Sequence, residues 1–316
     1  MGAYIIRRIL IGIPVLFGVT VINFFIINLA PGSPADLYLT PTATPADVAR
    51  MEHELGLDQP IVVRYVKWLG QLLHGDLGFS LSSRQPVAEL LGERIGPTLT
   101  LMGASLVVAY LVAIPVGILV ARRKNTVVDY GVVGMSFLGI SVPHFFLGLV
   151  IIYVFAVKTG WFPSGNNVTL GGPGGFVDRF QHLVLPVIVL STAIAANMVR
   201  YVRSSMIDVF DADYIRTARA KGLGDTTITN KHALRNALTP IVTVIGIDLS
   251  VLLGGAIVTE QIFQWPGIGL LTIQSIQGRD YSVLMAINLL AAIGVFLANL
   301  LTDVAYGIVD PRVSYS

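Results

Sequence analysis

Asp248 and His144 are the only acidic or basic side chains within the long apolar runs of this 316-residue chain. An acid near the middle of a bilayer costs about 2.5 to 3.5 kcal/mol even on the lenient insertion scale, so Asp248 must face a bundle interior or a wet cavity. Two roles fit it. It marks a pathway for a cationic amine or metal, or it is structural, held neutral or hydrogen-bonded to a hydroxyl such as Ser250 or to a neighbouring helix. His144, after the bend expected at Pro143, is a pathway group or a packing histidine. Asn197 and Glu260 complete the candidate pathway residues. Asn23, Asn28, Asn197, Asn288 and Asn299 also suit hydrogen bonds between helices.

Reaction centres are absent from the sequence. It has no Gly-x-x-x-x-Gly-Lys-Ser/Thr phosphate loop, no His-Glu-x-x-His and no Gly-x-Ser-x-Gly elbow. Gly222-Leu223-Gly224-Asp225 resembles the Gly-x-Gly-Asp signature of intramembrane aspartyl proteases, but those enzymes need two aspartates within spans sharing a proton. Asp225 lies in a polar segment, and no Tyr-Asp pair supplies a second motif. No catalytic residue and no metal site are expected.

The elements that must position these groups are membrane helices. The chain is 54% hydrophobic and 13% charged, against about 25% charged in soluble domains. Cysteine is absent, which excludes disulfides and thiolate chemistry, and the net charge of +2 gives no nucleic-acid footprint. Six apolar segments meet or approach the roughly 20 residues a bilayer requires. They cover 9–30, 98–121, 132–157, 183–199, 238–259 and 283–301. An all-α polytopic membrane protein follows, one domain over 1–316. The first segment is too long and too poorly followed for a signal peptide, and is expected to be retained.

Charge sets the orientation. With the N-terminus in the cytoplasm, the inside segments carry thirteen Lys/Arg and the short outside loops 158–182 and 260–282 carry three. The positive-inside rule then puts both termini in the cytoplasm. The long loop 31–97 falls outside. A Thr44-x-x-Asp47 cap with Pro45 predicts a helix over 45–55 stopped by Gly56. Ile61, Tyr65, Trp68, Leu69, Leu72 and Leu73 predict a second helix lying at headgroup depth.

Between the fourth and fifth spans lies a basic island, residues 213–240, with five Lys/Arg and two Asp. Its pattern predicts one helix through Ile215 and Ala218 ended by Gly222, then a turn at Gly224 and Asp225, then a helix through Asn236, with Pro240 opening the fifth span. A positive anchor on anionic lipid would need charge alone. The small residues Ala218, Gly222 and Gly224 instead favour close backbone contact with a protein surface.

At these residues the chain resembles the membrane subunits of binding-protein-dependent ABC importers, in particular the dipeptide, oligopeptide and nickel branch. Residues 213–222 and 232–240 match that branch's loop almost throughout. "YIIRRIL" at 4–10, "APGSP" at 30–34, "LGLDQP" at 55–60, "GDLGFS" at 75–80, "SVPHFFLG" at 141–148, "LLGGAIVTEQIFQWPGIG" at 252–269 and "VDPRV" at 309–313 extend the resemblance over the whole chain. It implies the type I importer transmembrane fold in a bacterial cytoplasmic membrane. It also implies a second permease subunit, two ATP-binding subunits that carry ATP and Mg, and an extracytoplasmic solute-binding protein. No cofactor is implied in this chain. The island becomes the coupling loop, over 200–237. Asp213, Arg216, Thr217, Ala218, Lys221, Gly222, Leu223, Gly224 and Asp225 form the expected ATPase-docking residues. Arg216 stands where the wider superfamily has Glu, and Asp213 is the candidate replacement anchor. Peptides, nickel chelates and haem all remain open as cargo, and a passive solute or ion channel is the alternative function.

Overall fold

The computed structural model describes residues 2–29, 44–54, 56–172, 174–252 and 256–309. The motif at 30–34, most of that at 309–313, part of that at 252–269 and the first residue of that at 55–60 fall outside them. Among the described residues there are helices and no named strand.

Among the described residues four helices are long and apolar enough to cross a membrane, α1 (Gly2–Asn28), α4 (Val87–Arg122), α7 (Phe176–Phe210) and α13 (Tyr281–Val309), and the bent pair α5 (Val127–Ser141) and α6 (His144–Ile151) makes a fifth if counted as one span. The expected fifth span, 238–259, falls largely on α10 (Leu234–Leu252), whose apolar stretch Ile241–Ser250 is shorter. Outside and between them lie α2 (Pro45–Glu54), α3 (Ile61–Leu73), α8 (Asp213–Ala220), α9 (Asp225–Thr227), α11 (Ile257–Ile262) and α12 (Ile268–Gln277). With 36 residues in α4 and 35 in α7, each helix is over 50 Å long at about 1.5 Å per residue, well beyond a hydrocarbon core of about 30 Å. Both project past the membrane, farther than the apolar runs at 98–121 and 183–199 indicate.

The expected third span, 132–157, is not one straight helix. It breaks after Ser141, and the two arms meet at 96°. The residue before a proline is pushed out of the helical region by the pyrrolidine ring. Val142 is accordingly extended, at ψ 120, while Pro143 caps the new helix. The second arm ends in a π-helical stretch, Ile152–Lys158.

The tightest seam is between α4 and α7. Ala113, Gly117 and Ala121 recur at four-residue spacing along one face of α4, and all three are buried. A Cβ on Gly117 would stand 2.7 Å from Val202 and 3.0 Å from the Val199 carbonyl oxygen. No side chain fits there. Lipid tails give helices no hydrophobic reason to pair, so close backbone approach must supply the association through dispersion.

A second seam joins α1 to α13. Asn288 donates to Asn23 Oδ1 at 2.8 Å, and Asn23 donates to the Met285 carbonyl at 3.2 Å. Arg8 pairs with Asp303 at 2.8 Å near the other end. At the end away from Arg8 and Asp303, α3 docks against the same pair. Phe24 meets Tyr65 edge-on at 5.3 Å and Trp68 at 5.6 Å, and the Thr20 and Tyr65 hydroxyls lie 3.0 Å apart. Tyr65 and Trp68 therefore pack on helices, while Val62, Val63 and Val66 face outward.

The cap of α2 forms as its residues require. Asp47 accepts from the Thr44 backbone and hydroxyl at 3.0 and 2.7 Å, and Gly56 takes the left-handed conformation, φ +66, after the helix. His53 and Asp58 then close the turn at 2.7 Å. The hydrogen bond raises the His53 pKa and lowers that of Asp58, so the ionic contact holds between the two shifted values and is lost above the one and below the other.

Gly117→Leu is expected to lower the stability of the purified protein by about 1 to 3 kcal/mol, the usual cost of overpacking. Gly103, with nothing within 4 Å of its would-be Cβ, gives the control. Thermal melting in detergent should separate Gly117→Leu from an unaffected Gly103→Leu, and equal melting of the two would refute the seam.

Candidate functional site

The basic island folds as a small helical body rooted in the bundle. Ile215 and Ala218 of α8 are 0% and 7% exposed. They join a core made with Ala113 and Ala121 of α4, Val202 and Met206 of α7, and Ile241 of α10. Ala218, expected at the contact surface, thus faces inward, because on a helix it shares the face of Ile215 three residues before. Asp213, Tyr214, Arg216, Thr217, Arg219 and Lys221 line the opposite, exposed face, and Gly222 to Asp225 continue it.

Asp213 and Arg216 bond each other at 2.6 Å with both side chains largely in solvent. The candidate acidic anchor is therefore engaged with the arginine that displaced the superfamily's Glu. Such exposed pairs are worth little. Thr217 is turned back on its own helix, donating to the Asp213 carbonyl at 3.0 Å.

Gly222 and Gly224 differ in kind. Gly222 has φ +75, a conformation costly for any other residue, and its amide closes on the Arg219 carbonyl at 2.9 Å. Gly224 has φ −69, which any residue adopts. Neither has an atom within 4 Å of a would-be Cβ. The glycines leave an open floor between Lys221 and Asp225.

Beyond Gly224 the backbone differs from expectation. α9 passes into a π-helical turn, Ile228–Ala233, and then directly into α10, which runs through position 240. Helix continues from Asp225 to Leu252 without a break, so Asn236 ends nothing and Pro240 opens no new element. Two of the π-turn residues, Ile228 and Ala233, belong to the same core as Ile215.

Asp248 lies on α10 and is half-buried. Its partner is the Tyr110 hydroxyl of α4, which donates to Oδ2 at 2.8 Å. Ser250 does not reach it; that hydroxyl donates to the Gly246 carbonyl at 2.9 Å. His144 is exposed at the start of α6, directly after Pro143. Asn197 opens onto a cavity between α5 and α7. These three candidates lie on different elements and form no single cluster.

Glu260 is enclosed, at 0% exposure. One carboxylate oxygen accepts from Thr98 Oγ1 at 2.9 Å and the other from the Leu270 amide at 3.0 Å. Thr98 Oγ1 in turn accepts from the Ile268 amide at 2.8 Å, and Trp265 Nε1 donates to the Pro97 carbonyl at 3.0 Å. Gly267 and Gly269 press against the carboxylate with no room for a side chain. Glu260 thus ties α11 and α12 to α4, which withdraws it from any solute-facing surface in this conformation.

Sequence reasoning passed over one buried ion pair. Asp129, 1% exposed, takes both Nε and Nη2 of Arg203, at 2.6 and 2.7 Å. The signal was the Thr126-x-x-Asp129 cap, the same grammar as Thr44-x-x-Asp47, with Asp129 N donating to Thr126 Oγ1 at 3.4 Å.

Comparison with known proteins accounts for this architecture. A family model described as the binding-protein-dependent transport system inner membrane component matches residues 113–315, and a model for the N-terminal part of such components matches 1–102. The chain is 45% identical over 316 residues to the oligopeptide transport system permease protein AppB of Bacillus subtilis (strain 168), covering 100% of both. It is 41% identical over 312 residues to the glutathione transport system permease protein GsiC of Escherichia coli O6:H1, covering 99% of both. A chain of the MetNI methionine ABC transporter in an inward-facing conformation superposes with a TM-score of 0.57 at 21% identity, over 70% of this chain and 96% of that one. That likeness carries the fold, the type I importer transmembrane arrangement. The family models and the full-length relatives agree from end to end: the chain is an integral inner-membrane permease and belongs to the family of binding-protein-dependent transport system inner membrane components.

Proposed function

We propose that this permease forms half of the translocation pathway of an ATP-driven importer for small peptides, and that the α8–α9 surface is where an ATPase subunit seats. The observation that carries this is the division of the island: one face is buried in the α4, α7 and α10 core, and the other is exposed, with an open glycine floor. A load applied at that floor is passed to three membrane helices at once. The names of two full-length relatives, an oligopeptide and a glutathione permease, support peptides as the solute class. A second permease subunit would complete the pathway, two ATPases would bind ATP and Mg, and an external binding protein would deliver the peptide.

In this scheme both termini and the island are cytoplasmic, as the charge count requires. Asp248 and Tyr110 offer a half-buried carboxylate with a hydroxyl beside it, chemistry suited to the ammonium end of a peptide.

Three outcomes are expected. The chain has no native cysteine, so Gly224→Cys should react with a membrane-impermeant maleimide only from the cytoplasmic face, and labelling of intact cells from outside would reverse the orientation. Gly224→Trp should leave membrane insertion intact but cut uptake and ATPase stimulation roughly tenfold, the equivalent of about 1.4 kcal/mol of docking free energy. Gly224 is a cleaner site than Gly222 because its backbone bears no left-handed strain. Full stimulation in Gly224→Trp would sink the docking assignment. Asp248→Asn keeps an acceptor for Tyr110 and should slow uptake of a free peptide roughly tenfold while sparing the same peptide N-acetylated; equal uptake of both would make Asp248 structural.

A further inference from the structure

Near the end of α7 that leads to the island, a cavity of about 410 Å³ opens between α5 and α7, lined by Val133, Asn197, Arg200, Tyr201, Arg203 and Ser204. The lining supplies two guanidiniums, an amide and two hydroxyls, and no acidic residue is among it. The charge of Arg203 is already balanced by Asp129, which also accepts from the Asn125 amide at 2.9 Å. Arg200, three residues earlier on the same helix, forms no ion pair with any of the described residues. Its guanidinium lies over the Phe137 ring, 4.7 Å from the centroid. Stacking holds a guanidinium in place without neutralising it, so the cavity carries one uncompensated and positioned positive charge.

Depth and surroundings narrow the ligand. Arg200 is the first charged residue after the apolar run 183–199, where hydrocarbon gives way to headgroups. On α5, Phe137 and Ile140 follow Val133 at helical spacing, four and seven residues on, so a single apolar track descends from the cavity toward the membrane interior. Phe137 is 52% exposed and Ile140 37%. A donor-rich cavity above an open apolar track fits an amphiphile better than a free ion. Basic pockets between membrane helices on the cytoplasmic side are a recurrent solution for anionic headgroups.

We propose that this cavity holds the phosphate of an anionic phospholipid of the phosphatidylglycerol class. Arg200 is its cation, Asn197, Tyr201 and Ser204 stand as hydrogen-bonding neighbours, and an acyl chain lies along Phe137 and Ile140. The depth argument rests on the orientation proposed above, which labelling at position 224 tests separately and without reference to lipid.

Native mass spectrometry of the assembled complex, supplied with equal amounts of phosphatidylglycerol and phosphatidylcholine, reads the site directly. The wild type is expected to retain phosphatidylglycerol preferentially, and Arg200→Ala to lose about fivefold of that preference, the worth of one interfacial cationic residue. Ser204→Trp, which fills the cavity from its exposed side, should lose it too and covers the case in which Arg200→Ala fails to fold. Excess inorganic phosphate should not strip the lipid, since the acyl chain holds part of it. Equal retention by the wild type and the folded variants overturns the proposal, as does a wild type with no preference. Displacement by inorganic phosphate would assign the cavity to a free anion instead and overturn the lipid site.

Discussion

The close approach of α4 and α7 at Gly117 is the constraint on which the rest of the molecule hangs. In water the two helices would be driven together by burying leucines; in lipid that incentive is gone, and contact must be gained by backbone proximity. Ala113, Gly117 and Ala121 make that proximity possible along the lower half of α4. Val202 and Met206 fill it from α7, and the same side chains form the bed in which Ile215 and Ala218 of α8 lie. The polar island is therefore not an appendage on a finished bundle. Its position is an extension of the α4–α7 seam, and a change in that seam is a change in where the island points.

The opposite end of the molecule is organised differently, by polar groups that use up one another's hydrogen bonds. Glu260, Thr98 and the backbone of 268–270 form one such knot, and Ser80 with Asp280 forms another at 2.6 Å, both groups buried. A buried carboxylate is tolerable only when its oxygens are occupied. The return is geometric specificity, since a carboxylate with several short donors admits few arrangements of the segments that supply them. The end that carries the island is held mainly by apolar contact, with the buried pair of Asp129 and Arg203 beside it.

Much of this was legible in the residues. Apolar length gave the four long helices and the bent pair, and the Thr-x-x-Asp grammar gave the start of α2. Proline was the least readable signal. Pro143 breaks a span into two arms at 96°, whereas α7 and α4 pass through Pro186 and Pro115 as continuous helices. The sequence marks both kinds of site alike, and only the neighbours available to satisfy the freed carbonyls decide between them. Burial of Ala218 and Glu260 was equally hidden. A small residue in a polar segment fits a docking surface or a core, and an acid at the edge of a span fits a pathway or a knot; which applies depends on helices distant in sequence.

The π-helical turn at Ile228–Ala233 fixes an angle as well as a path. Because Asp225 to Leu252 is one uninterrupted helical rod, the direction of the island's outer face and the direction of Asp248 are locked to a common axis. Successive residues of an α-helix are about 100° apart around that axis. A single residue gained or lost within the turn would point Asp248 about a quarter-turn away from Tyr110. The phase of the rod, rather than its length, is what the turn maintains.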